Sequence, residues 1–470
     1  MSTPATNSKL PEDVLLRIFY FGRLTYLDEE RGSFPGFRLF WRWHRLAHVC
    51  QRWRSVVFGS PNFLDLRLVC PPGRRMELAD IWPPFPIVVT NINSKHKLED
   101  YDFDATIVHH DRVCQITLLG LTSPRLQRLA SAMQVQFPAL IDLTLFFLDR
   151  HPALALPDGF LGGSGPRLQS LQFHSIPFPA FPKFLLSAPD LVRLDLQSIP
   201  HAGYFSPEAI VAGLAVLANL TSLSIGFESP RSHPDREIRR PPPPIHIVLP
   251  ALTCLYFQGV SEYLEDVVAR IDAPLLDSIW ITFFHQLIFD IPQLAQFMRR
   301  TTRLQAPNEA HVDFNDYSVQ IGSRPLERAS EDRSRLRFSC RDLDWQLSSL
   351  AQILTSFSPS VYMVEHLYIS VPRNLPSQWQ DVTENVQWLE FFHPFTGVKN
   401  LHVCEEYAQC IAPALQEIVG ERVTDVLPAL EGLFLEDVPP SGPVQEAIGQ
   451  FIAARQLLGH PVAVSDWNRT

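Results

Sequence analysis

The sequence contains no glycine-rich loop that could cradle a phosphate. Neither G-x-x-x-x-G-K-[ST] nor G-x-G-x-x-G occurs, and only 21 of the 470 residues are glycine. Nucleotide-binding readings thereby lose their main physical support, a run of backbone N–H groups able to close on an anion. The G-x-S-x-G nucleophile elbow and the H-E-x-x-H zinc helix are missing as well, so neither of those hydrolase chemistries is signalled. Cysteine is scarce: Cys50, Cys70, Cys114, Cys254, Cys340, Cys404 and Cys410 are scattered and form no C-x-x-C pair. That is the pattern of reduced thiols, and it places the chain, as an expectation, in the cytosol or nucleus. Charged residues are 19% of the chain, 40 basic against 50 acidic, for a formal net charge of -10. The balance argues against nucleic acid or an anionic membrane as the main partner. The first twenty residues carry Glu12, Asp13 and Arg17 in an amphipathic pattern, so no secretory leader is expected. Ala209–Phe227 is uncharged and of membrane-span length, but Asn219, Thr221, Ser222 and Ser224 within it point to a buried helix running into a buried strand.

What is present is apolar periodicity, in a chain that is 46% hydrophobic. Leu10-Pro-Glu-Asp-Val-Leu-Leu-Arg-Ile-Phe19 sets Val14, Leu15, Ile18 and Phe19 on one helical face. Pro11 suits the first turn, and Glu12 and Asp13 put negative charge at the positive end of the helix dipole. After a polar, glycine-containing stretch from Gly22 to Arg38, helical spacing returns over Trp43 to Val57 through Leu46, Val49, Cys50 and Trp53, and Ser60-Pro61 ends it. Phe63 to Leu68 alternates as a half-buried strand does, and Pro71, Pro72, Pro83, Pro84 and Pro86 suggest a linker.

From about residue 111 the chain repeats the unit Pro-x-Leu-x-x-Leu-x-Leu. It is clearest at Pro138–Leu145, Pro166–Phe173, Pro189–Leu196, Pro250–Phe257 and Pro428–Leu435, with looser copies around Ile116, Leu223, Ile279, Leu367 and Leu401. Helix-like stretches lie between them, at Glu262–Ile271, Gln293–Arg299, Leu347–Phe357 and Gln409–Val419. Strand and helix alternate at a spacing near the roughly 20 to 29 residues of leucine-rich repeats, sometimes longer. Between 300 and 340 the copies are too degenerate to place, although Ala310–Phe314 and Leu336–Cys340 both alternate like strands. A last helix is expected with Ser441 as its cap, Val444, Ala447, Ile448, Phe451 and Ile452 on one face, and Gly459 and Pro461 as its stop. It would close the end of the repeat array.

Taken in order, Leu10-Pro11 through Ile18-Phe19, Leu46-Ala-His-Val-Cys50 with Trp53-Arg54, and Ser60-Pro-Asn-Phe63 resemble the F-box, a three-helix module that docks the Skp-type adaptor of cullin-RING (SCF-type) ubiquitin ligases. Two departures stand out: an insertion lengthens the connection between the first two helices, and Phe63-Leu64 stands where the family usually has Leu-Trp. Over nearly its full length the chain is also similar to fungal, basidiomycete-type F-box proteins with degenerate leucine-rich repeats, including its closing stretch Gly442–Gly449. The expected fold is α/β: an F-box-like helical module over 8–68, a linker with the first irregular strands over 69–110, and a leucine-rich-repeat-type solenoid over 111–470 with a C-terminal capping helix. The resemblance implies a substrate-recognition subunit that performs no chemistry itself, with the ligase's other subunits, cullin included, supplying catalysis. Leu10, Pro11, Val14, Leu15, Ile18, Val49 and Trp53 would then form or support the adaptor-facing surface. A small helical module cannot bury all of its apolar face against so few residues of its own, which independently favours a partner. The alternatives are that these residues only cap the first repeat, and that the chain is a repeat-based scaffold without a ligase partner. An α/β enzyme built on a doubly wound sheet lacks the glycine-rich turns it would need.

The remaining chemistry-bearing residues are sparse, and neither a cofactor nor a metal is expected. His109-His110 with Asp111 has no further ligand at zinc-site spacing. His402 and Cys404 would share one strand face without an orienting third group. Arg231–Pro244 reads as a solvated, proline-rich loop whose polyproline run could dock an aromatic groove. The strand period places the repeat leucines inward and Thr144, Gln172, Asp195, Ser224, Tyr256, Trp280, Tyr368, His402 and Phe434 outward, on the usual ligand face of such arrays. Aromatics anchor interfaces, so Tyr256, Trp280, Tyr368 and Phe434 are the candidate substrate contacts, with Arg193, Asp195, Gln258 and Glu436 setting specificity. The bland alternative is that these rings cover one another and stabilise the sheet.

Overall fold

The structure is a computed structural model. It describes residues 10–29, 43–70, 83–91, 108–149, 154–230, 246–286, 288–301, 303–304, 308–315, 317–323, 334–339, 343–356, 363–371, 385–418, 423–437 and 441–467. The Arg231–Pro244 segment and most of the proline-rich stretch after residue 70 lie outside these residues. The chain divides into two compact units, Met1–Phe173 and His174–Thr470.

The first unit opens with helices at Glu12–Glu29, His44–Ala47, Gln51–Gly59 and Pro61–Leu64. The first helix continues well past Phe19, through Gly22, because one glycine costs only about 1 kcal/mol and Arg23, Leu24, Leu27 and Glu29 beyond it are good helix formers. Trp43 to Val57 is two helices rather than one. Cys50 adopts an extended conformation and its Sγ accepts the N–H of Trp53 at 3.4 Å, so it caps the second helix instead of lining an apolar face. Phe63 and Leu64 belong to a helical turn that ends at left-handed Asp65, and only Leu68–Cys70 forms a strand (β1), so the alternation from Phe63 did not make one continuous strand. Strands β2 (Ile87–Thr90), β3 (Val113–Leu121) and β4 (Asp142–Phe147) follow in parallel register, and β5 (Ser170–His174) is next in order.

In the second unit the chain forms β6 (Arg193–Ile199), β7 (Ser222–Phe227), β8 (Ile247–Val248), β9 (Cys254–Gly259), β10 (Ile271–Asp272) and β11 (Ser278–Phe284). It continues with β12 (Glu309–Asn315), β13 (Ser318–Gly322), β14 (Ser334–Ser339), β15 (His366–Ser370), β16 (Asn400–Val403), β17 (Gly432–Leu435) and β18 (Ala463–Asp466). The main sheet runs β6-β7-β9-β11-β14-β13-β12-β15-β16-β17-β18, while β8 and β10 make a separate pair. Its neighbouring strands are parallel except at β13, which is antiparallel to both β12 and β14. The unplaceable stretch is thus a three-strand meander inserted in reverse order. The uncharged Ala209–Phe227 region is a helix, Pro207–Leu214, leading into β7, and among the described residues no helix is long and apolar enough to cross a membrane.

The repeat has a simple physical basis. In each clean copy the leucine after Pro-x donates its N–H three residues back, as Leu140 to Phe137, Leu168 to Gly165, Leu191 to Ala188, Leu252 to Leu249 and Leu430 to Leu427. Proline therefore occupies the second position of a tight turn, where its fixed φ is an advantage. The same turn recurs with Pro274 before Leu276, and without proline at Leu220. Every one of these leucines is buried, as are the inward leucines of the strand that follows, such as Leu143, Leu145, Leu194 and Leu196. Each fully buried aliphatic contributes roughly 2 kcal/mol by removal from water. Buried Glu265 is matched: it accepts the N–H groups of Gln293 and Leu294 at 2.9 and 2.7 Å, capping the helix Pro292–Arg300 from a neighbouring element.

The final helix runs Pro443–Leu457 and buries Ala447, Ile448, Phe451 and Arg455. Gly442, not Ser441, is its first flanking residue, and no side chain caps it. Left-handed Gly459 stops it, with the His460 N–H returning to the Arg455 carbonyl. The helix is not the last element, because β18 follows and pairs with β17.

Candidate functional site

Register brings one outward position of the second unit's strands into a continuous row. From β9 to β14 it reads Tyr256, Trp280, Arg335, and from β12 to β18 it reads His311, Tyr368, His402, Phe434, Ser465. Neighbouring strands lie about 4.8 Å apart, so flat rings at matched positions stack. His311 and Tyr368 are 4.3 Å apart and 4° from parallel, Tyr368 and His402 are 4.3 Å and 17°, and His402 and Phe434 are 4.4 Å and 11°. Four rings thus form one pile across four strands. Trp467, just past β18, meets the pile from the side, 5.5 Å from His402 at 65° and 6.0 Å from Tyr368.

Sequence prepares the place for the last ring. A Cβ at Gly432 would fall 2.6 Å from Asn400 Oδ1 and 2.9 Å from the Phe434 ring, so glycine lets that ring lie back along its own strand. Around the pile the side chains are polar. His366 Nδ1 contacts the Asn400 amide at 3.2 Å, His311 Nε2 lies 3.8 Å from Glu309, and Lys399 bonds Glu365 at 2.8 Å on the surface. Below the row, buried Asp313 accepts the Ser370 hydroxyl at 2.6 Å. Burial, with the neighbouring His366 and His311, depresses His402 to about 4, so it is neutral near pH 7. Burial raises the Tyr368 and Tyr256 phenols above their ordinary value.

The predicted substrate residues do not all converge. Tyr256 and Trp280 are half-buried register neighbours, and the Tyr256 hydroxyl donates to Gln258 Oε1 at 3.1 Å. Tyr368 and Phe434 belong to the other aromatic group, beyond the meander, with Glu436 one strand end away. Arg193 is exposed on β6, and Asp195 beside it accepts the Gln197 amide at 3.1 Å. Two of the expected outward positions are covered rather than presented. Thr144 and Ser224 are 6% and 8% exposed, and Gln197 bonds across to the Ser224 hydroxyl. His311 and Trp467 were missed. The alternation at Ala310–Phe314 marks His311 as outward-facing, but nothing local shows that its strand lands beside β15. Trp467 follows a strand too short to recognise alone.

In the first unit, the residues expected to face an adaptor are divided by burial. Leu15 and Phe19 are 1% and 2% exposed, and Trp53 is half-buried with its ring 4.8 Å from Phe19. Leu15 is therefore interior and can only support a docking surface. Leu10 and Val14 are half-buried, Pro11 is exposed, and Ile18 and Val49 are 49% and 55% exposed. Exposed Phe21 lies on the helix of Ile18 and exposed Phe63 on the turn Pro61–Leu64, with Tyr20 joining them at 6.3 and 5.0 Å.

The chemically suggestive groups have ordinary explanations. His110 Nδ1 lies 2.7 Å from the Gln136 carbonyl. Cys404, Glu406 and Glu436 bring donor atoms within 4.8 Å of one another. Burial, and then its hydrogen bond with Glu406, push the Cys404 thiol far up, which favours the protonated thiol over a nucleophilic thiolate. Cys404 is also wholly buried, at the start of the helix Glu405–Gln416.

No protein-family model matches the chain, and no curated protein matches it. Among solved structures it is similar to the leucine-rich repeat-containing protein LegL7 from Legionella pneumophila, at 12% identity, over 82% of this chain and 97% of that one, with a TM-score of 0.27.

Proposed function

We propose that the protein is the substrate-recognition subunit of a cullin-RING (SCF-type) ubiquitin ligase, holding a Skp-type adaptor through its N-terminal helices and a protein substrate on the outward sheet face of its leucine-rich repeats. It is a binding protein in the cytosol or nucleus and performs no catalysis. One observation carries the reading: on the residues that resemble the F-box, Leu15 and Phe19 fill the interior while Ile18 and Val49 remain about half exposed. An apolar face left uncovered on a small module is the ordinary mark of a docking site. A repeat-based scaffold without a ligase partner is the second reading, favoured by the aromatic sheet face, which needs no adaptor to present itself.

Co-purification with adaptor and cullin decides between them. Ile18→Asp combined with Val49→Asp should abolish co-purification while leaving the thermal transition in place. Failure of the parent chain to co-purify with adaptor would sink the ligase reading and leave the scaffold, and unchanged adaptor binding by the double variant would overturn the assignment of the docking surface to Ile18 and Val49.

A further inference from the structure

Strand β18 is anchored differently from its neighbours. Ala463, Val464, Ser465 and Asp466 are all exposed, and among the described residues the strand pairs on one side only, with β17. Between buried Val462 and half-buried Trp467 the segment buries no side chain. Its backbone is held by bonds to the β17 strand ends, Ala463 N–H to the Glu431 carbonyl at 2.8 Å and Trp467 N–H to the Leu435 carbonyl at 2.7 Å. Trp467, the ring it carries, reaches back past the neighbouring strand to lie against His402 and Tyr368. His402, flanked by rings on both faces and met by a third, keeps a buried Nδ1 that has no hydrogen-bond partner.

We propose that the aromatic pile is a receptor for an aromatic side chain carried on an extended segment of a partner protein, and that β18 with Trp467 is a self-ligand occupying that place. The partner segment has the pattern of Val464-Ser-Asp-Trp467: one apolar residue, two small or acidic residues, then an aromatic. It takes over the edge of β17 by strand addition, so the backbone bonds lost by β18 are remade by the newcomer. Exchange of one strand for another therefore conserves hydrogen bonding, and the ring on the incoming strand decides affinity. Because the self-ligand is tethered, its effective concentration is of the order of millimolar, and it weakens every competing segment by mass action. The unpartnered His402 nitrogen supplies a polar atom that a partner can satisfy and Trp467 does not.

This inference deepens and rests on the reading that the sheet face takes the substrate, but its test uses neither adaptor nor substrate, so the two can fail separately. The probe is a fluorescent peptide of residues 461–470, titrated into the full chain and into its Trp467→Ala variant. The peptide should bind the variant at least about tenfold more tightly than the parent, since the tethered competitor is gone. Replacing the peptide's own tryptophan by alanine should abolish binding to both. Equal affinity for the two chains, or indifference to the peptide's tryptophan, overturns the proposal. A second measurement needs no variant: amide hydrogen exchange of the parent with and without saturating peptide. Exchange over Ala463–Trp467 should accelerate on peptide addition while that of Leu401 and Val403 in β16 stays the same. Unchanged protection of β18 overturns the proposal equally.

Discussion

The imidazole of His402 lies 4.3 Å from the ring of Tyr368 and 17° from parallel to it, and the pair sits at the centre of a four-ring pile on the sheet's outward face. Burial among these rings favours the neutral imidazole, so the contact ties this sheet face to proton concentration.

The first prediction concerns pH. The folded value of His402, about 4, lies below its unfolded value of roughly 6.5. The unfolded chain therefore binds the proton more readily, and this stabilisation is complete above about 6.5 and lost as pH falls toward about 4. His402→Phe keeps the stacked ring and removes the titration. Urea midpoints measured at pH 7 and pH 5 should differ less for the variant than for the parent, and an identical difference would disprove the assignment to His402.

A second prediction separates interior from surface in the N-terminal helices. Leu15→Ala leaves a cavity and should cost about 2 to 5 kcal/mol of that unit's stability. Ile18→Ala, at a half-exposed position, should stay within about 0.5 kcal/mol. Denaturant melts of the two variants check both, and equal losses would show that Ile18 is as enclosed as Leu15.

The third prediction rests on Arg455, which is fully buried and donates to the carbonyls of Val423 and Leu427, both at 3.2 Å, Pro428 at 3.0 Å and Leu430 at 3.4 Å. The guanidinium holds together the turn that launches β17. Arg455→Met should cost about 3 kcal/mol or more, since each stranded buried carbonyl costs roughly 1 to 3. Phe451→Asp on the same buried face should also cost several kcal/mol by burying a charge. Thermal unfolding of either variant at the parent's temperature would show that the helix Pro443–Leu457 is not docked.

The fourth prediction concerns Gly432. Gly432→Ala forces the Phe434 ring or the Asn400 amide aside and should cost about 1 to 3 kcal/mol as overpacking does. The near-ultraviolet circular dichroism of the aromatic pile should weaken with it. A variant with parental stability and spectrum would mean that the ring has room to spare.

The sequence by itself determined the repeating unit, because its causes are local. A proline at the second position of a turn, a leucine that buries as the turn closes, and a two-residue alternation after it are all read within eight residues, and the strands at Pro138–Leu145, Pro189–Leu196 and Pro428–Leu435 form where that pattern says. It also marked the apolar face of the first helix and most of the outward positions. Only the tertiary structure decided which of those residues meet. The reversed order of β12, β13 and β14 depends on pairing across distant segments, and it alone sets His311 against Tyr368. Burial separated Leu15 from Ile18 although both lie on one apolar helix, since which flank is covered depends on where the later helices pack. Trp467 reaches His402 because a short strand with little hydrophobic signal of its own finds an unpaired edge on β17, and an edge exists only after the rest of the sheet has formed.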